Sequence, residues 1–131
     1  MRQLCAATAA LAILGGCSQS PEKAAKEARQ AAGSWGATLS SAAERWGSGE
    51  ISTKYFETVV TQARVELQKQ SQTARQSGGD SAARPVDAVA SHVDAMNNAI
   101  TRGDRTAAIH AGHAAASEVP AEKTPPVARP Q

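Results

Sequence analysis

The sequence is short of large apolar side chains. Of its 131 residues only 3% are aromatic: two tryptophans, one tyrosine and one phenylalanine. Nucleic-acid surfaces interleave basic and aromatic residues, and this chain has neither the aromatics nor, at a net charge of +2, a strong field of one sign. The hydrophobic fraction of 41% is mostly alanine. The only sustained apolar run, Leu4 to Leu14, is 11 residues long, whereas a bilayer-spanning helix needs about 20. A mean hydropathy of −0.37 suits a body that faces water, and the length leaves room for one domain. There is no nucleophile elbow, phosphate loop or zinc-protease signature. The expectation is a chain that is not an enzyme and carries no cofactor.

What the N-terminus does have is an ordered pattern. Met1-Arg2-Gln3 is a short positive stretch, Leu4 to Leu14 is apolar, and Gly15 and Gly16 are small enough for a peptidase to reach the backbone. The segment Leu14-Gly15-Gly16-Cys17 then resembles the lipobox of bacterial lipoproteins: a branched aliphatic, two small residues and a cysteine. That resemblance implies removal of residues 1–16 as a signal peptide and a diacylglycerol, with palmitate-type acyl chains, on the Cys17 sulfur. Cys5 would leave with the signal, and the sole remaining thiol would be blocked, so no disulfide is expected. Ser18, in place of aspartate, resembles the pattern of lipoproteins delivered to the outer membrane, with the body facing the periplasm. Two or three acyl chains hold a protein to the bilayer essentially permanently, each buried methylene contributing about 0.8 kcal/mol.

Residues 17–21 read as the lipidated cysteine and a short linker, and 22–119 as a helical body. Ala25, Ala28, Ala32, Trp35, Leu39, Ala42 and Trp46 recur in steps of three and four, which predicts one face of a first helix. Ser20 suits its cap, Pro21 its first turn, and Gly47 and Gly49 its stop. A second helix is expected from about Thr53 to Gln76, capped by Ser52 or Thr53, with Phe56, Val60, Ala63, Leu67 and Ala74 inward and Gln70 an odd polar member of that stripe. Gly78-Gly79 ends it. A third starts with Pro85 in its first turn and buries Val86, Val89, Val93, Met96 and Ile100. Gly103 closes it, and Asp104 caps a fourth from Arg105 to about Glu118, with Ala108, Ile109, Gly112, Ala115, Ala116 and Val119 inward.

The fold class is therefore all-α: a small antiparallel bundle of three to four helices. Four prolines in the last 12 residues, 120–131, predict a disordered Pro-rich tail. The core of such a body is thin, so the expected stability is low or concentration-dependent, with a homo-oligomer or a protein partner completing it.

Candidate sites are few. Trp35 and Trp46 lie about three turns apart and point roughly the same way; they serve as core residues or as a flat binding face. His92, His110 and His113 are the only histidines. With a turn near Gly103, His92 lies opposite roughly position 114 and so near His113, with His110 one turn away, a potential zinc or copper set. Against it, His113 sits about 100° from the inward centre of its helix and His110 points nearly outward. Asp87 and Asp94, and the cations Lys23, Lys26 and Arg29, read as solvated helix faces. The leading expectation is a non-catalytic, envelope-anchored protein-binding or structural lipoprotein. The alternative is a bundle that binds metal or a small ligand through the histidines or the tryptophan face.

Overall fold

Three short polar side chains set where the helices begin. Ser20 accepts a hydrogen bond from the Lys23 amide, Ser52 from the Tyr55 amide and Asp104 from the Ala107 amide. Each such cap satisfies a backbone donor that the first turn leaves unpaired, and each is worth about 1 kcal/mol. A computed structural model describes residues 20–119, and among them every regular element is a helix: α1 (Pro21–Gly47), α2 (Thr53–Arg102) and α3 (Arg105–Ser117). The expected signal segment, Cys17 and the Pro-rich tail fall outside the described residues. No helix among the described residues is long and apolar enough to cross a membrane.

α2 has 50 residues, yet it is not a straight rod. Arg64 and Asp94 would lie about 45 Å apart along a straight helix. Instead the Arg64 guanidinium meets the Asp94 carboxylate at 2.6 Å, and the Ser71 hydroxyl donates to Asp87 at 2.6 Å. The chain therefore doubles back, and it does so at Gly79, whose φ of 79° and ψ of −171° are the only non-helical angles within α2. That combination is open essentially to glycine alone. The halves 53–78 and 80–102 run antiparallel, so the second and third helices expected from the sequence are both present.

The break between them is narrower than expected. Helix resumes at once after Gly79, so Pro85 lies inside the second half and not in its first turn. Ala82 and Ala83 are both buried, and packing them extends the helix back past the proline to the bend. At the far end Gly103 adopts a left-handed conformation (φ 65°), and its amide returns to the carbonyls of Ala99 and Ile100. This is the usual glycine stop, after which α3 starts on Asp104.

All three helices touch one another. The largest fully buried side chains are Phe56, Leu39, Leu67 and Met96, with a row of valines from α2 between them. The stripes read for the two halves of α2 are buried as expected: Phe56, Val60, Ala63, Leu67 and Ala74 in the first, Val86, Val89, Val93, Met96 and Ile100 in the second. Ser71, not Gln70, is the polar residue at the core edge of the first half.

On α1 Ala28, Ala32, Leu39, Ala42 and Trp46 are buried as expected and are joined by Ala24, Gly36 and Ala43, whereas Trp35 and Ala25 sit half-buried on the flank. The reason is steric. A Cβ on Gly36 would stand 2.8 Å from the Ala115 carbonyl oxygen, so the α1–α3 contact has no room for a methyl, let alone an indole. Ile109 likewise turns aside from the centre: it is half-buried and lies over Gly47, where a Cβ would come within 2.5 Å of its Cδ1.

Candidate functional site

The Trp46 indole is built into the top of the structure. Its ring stacks on Phe56 with centroids 5.0 Å apart, its Nε1 donates to the Thr53 hydroxyl at 3.1 Å, and the Arg105 guanidinium covers it at 5.6 Å. Three elements thus converge on one ring, which is left 2% exposed. Trp35 is half-buried against the core along the same helix. The two indoles consequently do not form an open platform: one face of Trp46 is taken by Phe56, and the edge that could bond a ligand is taken by Thr53.

The histidines are separated and individually engaged. His92 Nε2 lies 2.8 Å from Glu118 Oε1, and His113 Nε2 lies 2.6 Å from Glu44 Oε1. His92 therefore faces Glu118, about one turn beyond the expected position, and His113 turns to α1 instead of to His92. His110 is exposed. The expected three-imidazole set is not brought together, and among the described residues no group of three or more histidine, cysteine, aspartate or glutamate side chains could hold a metal ion. The two imidazole–carboxylate contacts tie α3 to α2 and α1, which is a positional role.

Asp87 and Asp94 are paired and not simply solvated. Arg75 donates to Asp87, to Asp80 at 3.2 Å and to the Ser71 hydroxyl at 2.6 Å, while Ser71 donates to Asp87. Together with Arg64–Asp94, this network stitches the two halves of α2. Ser71 is the only polar or charged residue that is buried among the described residues, and the network satisfies it. On α1, Lys23 approaches Glu27 at 4.0 Å.

One surface feature was not anticipated from the sequence. Tyr55 is 56% exposed, a high value for an aromatic residue in a chain that has so few. It borders a shallow groove of about 360 Å³ between α1 and the start of α2, shared with Ala37, Thr38, Ser41, Ala42, Arg45, Ile51 and Val59. The α1 side of the groove is lined mostly by small residues, and its Arg45 is paired with Glu50 at 3.2 Å. Tyrosine and arginine are, with tryptophan, enriched at the energetic centres of protein interfaces. In the sequence Tyr55 reads as a flank of the Phe56 stripe, because periodicity marks which face is inward and not which outward residue borders a depression.

No known protein family, no curated protein and no solved structure matches this chain.

Proposed function

We propose that this chain is an envelope-anchored, non-catalytic lipoprotein whose helical body binds another protein or serves a structural role at the membrane surface. The observation that carries this reading is the sequence Leu14-Gly15-Gly16-Cys17 at the end of an apolar run too short to span a bilayer. On this reading Cys17 bears the acyl chains, residues 1–16 are removed, and the protein faces the periplasm from the outer membrane. The finer architecture goes with it: α1, the two halves of α2 and α3 make a small antiparallel bundle.

Two structural facts support the binding or structural part of this reading. The carboxylates Asp87, Asp94, Glu44 and Glu118 are each engaged by a basic or imidazole partner from another helical segment, which is how ionisable groups hold a scaffold together. The exposed Tyr55 and the groove it lines supply a surface suited to a protein partner. Labelling with a palmitate analogue tests the anchor in intact cells. The wild-type chain should incorporate the label and fractionate with envelopes, and Cys17→Ala should do neither. Equal labelling of both would refute it.

A further inference from the structure

The only thing that separates α2 from a continuous helix is one residue. Helical backbone runs up to Gly78 and resumes at Asp80, and Gly79 alone departs from helical angles. A Cβ placed on Gly79 would meet nothing within 4 Å, so glycine is needed there for its backbone conformation and not for space. Turning that one residue to helical angles would make α2 a rod of about 75 Å. The second half and α3 would then leave the first half and α1 of their own chain.

We propose that the Gly79 bend is a domain-swapping hinge and that the partner it serves is a second copy of this chain. In the swapped dimer each α2 is straight, and the second half and α3 of one copy pack on α1 and the first half of the other. The contacts between the exchanged parts away from the bend are regained with the same partners: Arg64 with Asp94, Arg75 and Ser71 with Asp87, His113 with Glu44, and Gly36 with Ala115. The closed monomer and the open dimer therefore differ mainly in the backbone of Gly79 and in the entropy of association. A one-residue connection is the short hinge that favours exchange. Pro85 lies within helix in the closed form, so opening the bend asks nothing new of it. The proposal stands on the hinge geometry and does not depend on the lipid anchor.

The test uses the full-length chain in detergent, with mass measured by light scattering. Gly79→Ala puts a Cβ on a backbone conformation that disfavours it while leaving helical angles unhindered. It should move the balance toward dimer by about tenfold or more. Three glycines inserted after Gly79 lengthen the turn and should return the chain to monomer. A second experiment holds even if Gly79→Ala folds poorly. One chain carries Arg64→Glu and the other Asp94→Arg, so each alone sets like charges together across the bend. Mixed, unfolded and refolded, they should form heterodimers several-fold above the statistical share, because only exchange restores opposite charges at both positions. Gly79→Ala that stays monomeric at every concentration, or mixed chains that form no excess of heterodimer, would overturn the proposal.

Discussion

Gly36 of α1 lies against Ala115 of α3 so closely that a Cβ on Gly36 would stand 2.8 Å from the Ala115 carbonyl oxygen and 3.2 Å from Cα of Ala116. The obstacle is backbone, which cannot swing away as a side-chain tip does. Across the same interface Gly112 approaches Cα of Ser40 at 3.0 Å and the Ala43 methyl at 3.1 Å, measured from the Cβ it lacks. In a chain poor in large apolar groups, close approach of small-residue faces replaces bulk, because dispersion contacts are lost over even a small gap.

Gly36→Ala should therefore destabilise the protein, although alanine is the better helix former. Overpacking of this kind typically costs about 1–3 kcal/mol, against the roughly 1 kcal/mol that alanine gains in helix propensity. Urea denaturation should show a lower midpoint with an unchanged slope. A midpoint equal to or above wild type would mean that α1 and α3 do not meet this tightly.

Trp46 should behave as a core residue and not as a ligand platform. Trp46→Ala removes the Phe56 stack and leaves a large void, with an expected loss of about 3–5 kcal/mol. Trp35→Ala, at a half-buried flank, should cost clearly less. The same unfolding curves rank the two, and the reverse order would contradict the packing described.

The network at the α2 bend predicts unequal carboxylates. Asp87 serves both Arg75 and the buried Ser71 hydroxyl, so Asp87→Ala strands a buried donor and should cost about 1–3 kcal/mol. Asp94 holds only the exposed end of Arg64, and Asp94→Ala should cost about 1 kcal/mol or less. Double-mutant cycles with Arg75→Ala and Arg64→Ala separate the pair energies from other effects of truncation.

The histidines should not act together on a metal. With His92 held by Glu118 and His113 by Glu44, zinc or copper titrations of wild type, His92→Ala and His113→Ala should give the same weak response. Stoichiometric binding in the wild type that either variant abolishes would revive the metal-binding alternative.

Much of this arrangement was readable in the sequence, for local reasons. Ser20, Ser52, Asp104 and Gly103 act within one turn of themselves, so residue type alone marks them as helix ends. The stripes of α2 are set by bulky residues at helical spacing, and all of them are inward. What sequence spacing does not decide is the choice between neighbours such as Trp35 and Gly36. Either fits a face about 100° wide, and the answer depends on how near α3 comes. The His113–Glu44 contact joins residues 69 apart, and its register follows from the packing of whole helices. Ser71 escaped for a related reason: its burial depends on Asp87 and Arg75 arriving from either side of a bend that sits at one glycine.

The reading of function turns on the chemistry at a single sulfur, and intact-mass spectrometry of the protein taken from its own envelope tests it most directly. The predicted result is a chain that begins at Cys17 and carries a diacylglyceryl thioether on that residue. A free thiol at Cys17, or a chain that begins at any other residue, would contradict it.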